Sequence, residues 1–238
     1  MRLIIVLTLI LIKFWPNIAF GQNLIPNYSF EDTLPKTTPL YAPNSWTSPT
    51  IGSPDFIMPL NGPYWSSPNN YEGFQYDRTG SGYMGLFMYL LYTPTRDQRR
   101  EYMQVKFNSP LVFDSTYCLQ LHISLADSSR YASRNQLGVY FSNNAISSND
   151  KLHLPYSPQI KVSPNHYITN KAQWIEYNFT YKATGGEEYI TIGNFNDTTL
   201  LDTIFVGGGN KVPHNITYYY LDDVYLGSCD SVPGGGIT

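Results

Sequence analysis

From Tyr117 to Leu125 the chain alternates without a break. Tyr117, Leu119, Leu121, Ile123 and Leu125 are apolar or aromatic, and Cys118, Gln120, His122 and Ser124 between them are small or polar. A period of two belongs to a strand with one face in a core and the other toward solvent or ligand. The pattern recurs in Gln136 to Phe141, Trp174 to Tyr181 and Glu188 to Gly193, and Leu24 to Glu31, Tyr83 to Leu91, Tyr102 to Phe107 and Tyr218 to Leu226 are further strand candidates. No stretch combines helical periodicity with capping signals, so an all-β fold is expected. With Leu119 to Leu125 facing a core, Gln120, His122 and Ser124 face outward. The strands at 136 to 142 and 188 to 194 are expected to join the same sheet, placing Tyr140, Thr191 and Asn194 beside them. That surface is poor in Lys and Glu, so a ligand or the aromatic loop from Asp32 to Gly82 is expected to cover it.

The N-terminus reads Arg2, then the largely apolar Leu3 to Ile12, then Lys13, then Ala19-Phe20-Gly21. This is the order of a secretory signal peptide, with cleavage expected after Gly21. The apolar stretch closed by Lys13 falls short of the about 20 residues that span a bilayer, and no later run is long enough for one. The expected organisation is a leader at 1–21, one β-sandwich domain at 22–229 and a Gly-rich tail without structure at 230–238. Export places the protein outside the cytoplasm: secreted, in the periplasm, or on the outer surface of a bacterium. The 15 basic and 18 acidic residues give a net charge of −3, and loss of Arg2 and Lys13 makes the chain more acidic still. With no basic cluster, nucleic acid is not an expected partner. Cys118 and Cys229 both remain after cleavage; a disulfide is allowed, but their spacing does not dictate one.

Between Asp32 and Gly82 the chain is crowded with Pro, Ser, Asn and Gly and also carries Trp46, Trp65, Tyr71 and other aromatics. A loop of that length is usually functional, and it is expected to pack over one end of the sandwich. A second long loop runs from Ser142 to Gln173. The mixed-sign run Arg96 to Glu101 reads as a solvated turn before a strand.

The opening Asn23-Leu24-Ile25-Pro26-Asn27-Tyr28-Ser29-Phe30-Glu31, followed by Trp46, and the closing Tyr220-Leu221-Asp222-Asp223-Val224-Tyr225-Leu226 resemble the ends of xylanase-associated carbohydrate-binding modules. Interior segments such as Glu101 to Val105 and Ser124 to Tyr131 are similar to the N-terminal domain of exported Bacteroidetes surface proteins, which often precedes an OmpA-like or type IX sorting domain; no such domain is expected here. The resemblance implies a galactose-binding-like jelly roll of two antiparallel sheets. It also implies a structural Ca²⁺ site at Glu31 and Asp222 that ties the first strand to the last, in keeping with calcium's preference for oxygen ligands. The alternative is that both carboxylates accept hydrogen bonds from loop amides.

A carbohydrate is the expected ligand, because aromatic platforms combined with amides and charged groups suit a sugar's apolar faces and hydroxyls. The candidate ligand-binding residues are Gln120, His122, Tyr140 and Asn194 on the sheet, Asp127, Arg130 and Tyr131 at its rim, and Trp46, Trp65 and Tyr71 in the long loop. For Trp46 a core role competes with this, and Asp127 and Arg130 could simply pair with each other. Catalytic signatures are absent: there is no Gly-x-Ser-x-Gly elbow, and His122, His153, His166 and His214 are scattered. A non-catalytic binding module is therefore expected. A structural or adhesive domain with surface-protein partners is the alternative, and a polysaccharide hydrolase comes third.

Overall fold

The computed structural model describes residues 22–34, 42–92, 97–150, 152–163, 165–197, 202–207 and 215–234. The expected leader lies outside them. Among the described residues no helix is long and apolar enough to cross a membrane.

Two antiparallel sheets form the sandwich. The five-stranded sheet has the order β1 (Trp46–Thr47), β7 (Tyr102–Lys106), β13 (Tyr189–Asn194), β10 (Leu137–Ser142), β11 (Ile160–Lys161). The six-stranded sheet has the order β12 (Ile175–Lys182), β8 (Thr116–Leu125), β15 (Asn215–Gly227), β5 (Tyr83–Tyr92), β2 (Asp55–Ile57), with β6 (Asp97–Arg99) also paired to β5. Two short ribbons join β3 (Asn69–Asn70) to β4 (Gly73–Phe74) and β9 (Tyr131–Ser133) to β14 (Thr203–Phe205). This is the expected jelly-roll β-sandwich.

Alternation sorts the faces as anticipated. Leu119, Leu121, Ile123 and Leu125 of β8 meet Val139 and Phe141 of β10, Ile190 and Ile192 of β13, and Met84, Leu86 and Met88 of β5 in one core. The sheet assignment differs, because β8 lies in the six-stranded sheet while β10 and β13 pair with each other in the opposite one. An alternating strand states which residues face inward but not which strand lies beside it.

Leu24 to Glu31 is not a strand but a series of turns. Asn27 and Phe30 adopt left-handed φ values of 48° and 62°. The Asn27 side chain holds this bend, accepting from Asp32 N at 2.8 Å and donating to Asp32 O at 2.8 Å. The tail also departs from expectation. Cys118 and Cys229 form a disulfide, a short 3₁₀ turn follows at Cys229–Ser231, and Val232 is buried against Cys118 and Tyr225.

Candidate functional site

Loops cover part of each outer face of the sandwich. On β5 and β15 the outward residues include Tyr83, Tyr218 and Tyr220, which with Ile57 and Ala126 form a second, smaller cluster; Trp65, Phe87 and Trp174 pack against it. The segment between β2 and β5 lies over these rings, where so many adjacent aromatics require cover. Hydrogen bonds fix it: Tyr220 OH donates to Asn70 Oδ1 at 2.8 Å, Tyr83 OH donates to Gln75 O at 2.9 Å, and Trp174 Nε1 donates to Tyr76 O at 2.8 Å.

This cover leaves a cleft of about 410 Å³ beside β2 and β6. Tyr64, Trp65 and Tyr71 line it together with Asp55, Glu72, Phe87, Arg99, Arg100 and Glu101. Glu101 is buried where the chain crosses between the sheets, and its carboxylate accepts from Ser53 N at 3.2 Å and Phe87 N at 3.0 Å. Asp55 Oδ2 accepts from Tyr218 OH at 2.7 Å. That contact depends on Gly85, since a Cβ there would overlap the Tyr218 hydroxyl. Burial pushes the Asp55 carboxyl up to about 7, with the Tyr218 hydrogen bond opposing and Glu72 adding to the rise. Burial, then Asp55, holds Glu101 well above the usual carboxylate range. Among the described residues neither Asp55 nor Glu101 makes an ion pair. Arg100 is buried, its guanidinium 5.8 Å from the Tyr89 ring, and burial lowers its pKa. Chemically, the cleft can stack a flat apolar face against its rings and exchange hydrogen bonds with hydroxyls.

Arg100 and Glu101 correct the reading of this run as a solvated turn: Asp97–Arg99 is a strand, and the two residues after it are buried. A charged pair immediately before the alternating strand at Tyr102 was the available signal. Its meaning depends on which faces meet there.

Of the expected ligand residues, Trp65 and Tyr71 line this cleft and the others do not. Trp46 is core: it packs on Phe30 at 5.1 Å and donates to Asn27 O at 3.0 Å. Gln120 and His122 are buried on the outer side of β8. Gln120 donates to Asn178 Oδ1 at 3.1 Å and Pro233 O at 3.2 Å, while burial, then Arg78, depresses the His122 pKa. Gln120 borders a separate depression with Tyr28, Arg78, Asp223, Tyr225 and Pro233. Asn194 is fully buried and donates to Met88 O at 2.8 Å, linking the two sheets. Tyr140 stacks on Tyr156 at 4.9 Å beneath the second long loop. Arg130 and Tyr131 gather around Phe205 on the β9–β14 ribbon, and among the described residues Arg130 does not pair with Asp127. Asp127 instead accepts from Phe74 N at 2.9 Å.

Glu31 and Asp222 converge on one turn, where both accept hydrogen bonds from loop amides. Glu31 accepts from Ser81 N and Gly82 N at 3.0 Å, and the fully buried Asp222 accepts from Arg78 N at 3.0 Å. Arg78 pairs with the neighbouring Asp223 and leaves Asp222 without a cation among the described residues. Among the described residues no group of three or more His, Cys, Asp or Glu side chains is placed to hold a metal ion, so an ion at this turn would draw further ligands from main-chain carbonyls.

No family model and no curated protein matches this sequence. Among solved structures, the K1 cleaved adhesin domain of Lys-gingipain from Porphyromonas gingivalis W83 is similar at 17% identity and a TM-score of 0.43, covering 87% of this chain and 99% of that one. The CBM22-1 xylan-binding domain from Paenibacillus barcinonensis Xyn10C is similar at 10% identity and 0.40, covering 84% and 90%. A family 16 carbohydrate-binding module gives 13% identity and 0.38, covering 87% and 100%.

Proposed function

We propose that this protein is an exported, non-catalytic carbohydrate-binding module whose ligand sits in the cleft under the loop between β2 and β5. The observation that carries this is the placement of Tyr64, Trp65 and Tyr71 in the same 410 Å³ cleft as Asp55, Glu72 and Arg99. Rings offer stacking surface for the C–H faces of a sugar, and the charged groups offer acceptors and donors for its hydroxyls. Export is supported by the leader pattern and by the Cys118–Cys229 disulfide, a bond that persists in oxidising compartments. Titration with oligosaccharides tests the site: Trp65→Ala should abolish or strongly weaken binding. Retention of full affinity by that variant would move the site elsewhere.

The carboxyls of half-buried Asp55 and buried Glu101 favour a second reading, polysaccharide hydrolysis. Against it, both Glu101 oxygens are held by main-chain amides. Reducing ends released from a bound oligosaccharide, and lost in Glu101→Gln, would establish catalysis.

We also propose calcium at Glu31 and Asp222, supported by their convergence on the turn at 78–82, where Asp222 is buried and makes no ion pair among the described residues. When bound, the ion would tie the N-terminal segment and β15 to the end of the covering loop.

A further inference from the structure

The β3–β4 hairpin separates two hollows. One is the cleft; the other, about 360 Å³, is lined by Phe74, Gln75, Tyr76, Asp127, Lys171 and Ala172. Tyr71 borders the first and Phe74 the second, three residues apart, at most about 10 Å of extended chain. Along this ridge Tyr64 is 61% exposed, Tyr71 39%, Phe74 43% and Tyr76 64%. A run of exposed rings confined to one loop marks an interaction surface.

The rings are held in place before any ligand arrives. Asn69 pairs with Phe74 and Asn70 with Gly73, Phe74 N donates to Asp127 Oδ2 at 2.9 Å, and Ser128 N donates to Glu72 O at 2.9 Å. Gly73 allows the hairpin to lie against the sandwich: its φ is +147°, and a Cβ there would come within 2.7 Å of Asp127 Cβ. A preorganised platform loses little entropy on binding.

Each hollow also has, in its lining, a buried side chain with donors that meet no acceptor among the described residues. In the cleft these are Nε and Nη2 of Arg100, and in the second hollow Nε2 of Gln75. Such donors are costly to leave unmet. Both sides of the ridge therefore call for the same chemistry, an acceptor-rich ligand with flat apolar faces.

We infer that the two hollows are parts of one continuous site, which binds the interior of an extended glycan chain laid across Tyr71, Phe74 and Tyr76. This rests on the carbohydrate-binding reading of the cleft and adds that the ligand is a polymer engaged on both sides of the hairpin.

Isothermal titration of the mature chain with cello-, xylo- and chito-oligosaccharides of two to six units tests it. In whichever series binds, affinity should rise about tenfold or more from the shortest to the longest member. The Phe74→Ala/Tyr76→Ala double variant should lose that gain and keep the wild-type affinity for the disaccharide. Phe74→Leu/Tyr76→Leu, which keeps apolar bulk but removes the flat rings, should behave in the same way. Equal affinity at all lengths, or a loss spread evenly over all lengths, overturns the extended site and leaves the cleft standing. Binding of none of the three series overturns both.

Discussion

Long loops cover part of each outer face of the sandwich, but the two covers are built differently. Over the five-stranded sheet, the loop after β10 buries Ile146 and Leu154, which close over Tyr102 and Phe195, and Leu154 N donates to Tyr102 OH at 2.9 Å. Over the six-stranded sheet, the loop between β2 and β5 is equally well tied down, yet it leaves Tyr64, Phe74 and Tyr76 exposed and a cleft beside them. The first cover completes a core; the second holds rings outside one. Stability and binding should therefore separate by face.

The largest effect is expected on the closed cover. Leu154→Ala removes a fully buried side chain and should cost about 3 kcal/mol in urea unfolding, with glycan affinity unchanged at temperatures where the variant is folded. A cost below about 1 kcal/mol would show that this cover contributes little to the core.

Next comes the turn that ends the open cover. If calcium sits at Glu31 and Asp222, chelation should lower wild-type stability by about 2 kcal/mol, seen as a lower melting temperature, and leave Asp222→Ala unmoved. A chelator that shifts neither protein removes the ion from the account.

Beneath the open cover, Asp55 gives a pH dependence of definite sign. Its carboxyl titrates near 3.8 in the unfolded chain and at about 7 when folded, so between these values the folded state holds the extra proton. That stabilisation is complete below about pH 4 and is lost as pH rises through 7. From about pH 4 to pH 8 the wild type should lose on the order of 2 kcal/mol relative to Asp55→Asn. Parallel stability profiles for the two proteins would mean that Asp55 is not held in this environment.

The smallest change in stability belongs to the exposed ridge. Tyr71→Ala should alter unfolding free energy by no more than about 0.5 kcal/mol while weakening glycan binding about tenfold, or 1.4 kcal/mol. A stability loss as large as that of Leu154→Ala would erase the distinction between the two covers.

Much of the architecture could be read directly. The inward faces of β8, β10 and β13 followed from alternation, whereas the aromatic loop, expected over one end of the sandwich, lies instead across the outer rings of β5 and β15. The site was less legible. Trp46 and Trp65 occur in the same Pro-rich stretch with similar neighbours, yet one packs on Phe30 in the core and the other lines the cleft. Gln120 and His122 do point away from the core, as their positions require, but Asn178, Glu176 and the segment after Cys229 bury them.

By itself the sequence determined what is periodic and local: strands whose alternate residues are apolar, an all-β sandwich, and an irregular segment with too many aromatics to be a plain connection. Tertiary structure alone decided which strands became neighbours, that Cys118 meets Cys229, that Glu31 and Asp222 share a turn, and that Asp55, Glu101 and Trp65 line one cleft. The physical reason is that a period of two is imposed by backbone geometry within a strand. Pairing, cover and convergence depend instead on contacts between residues far apart in the chain, and no local pattern encodes those.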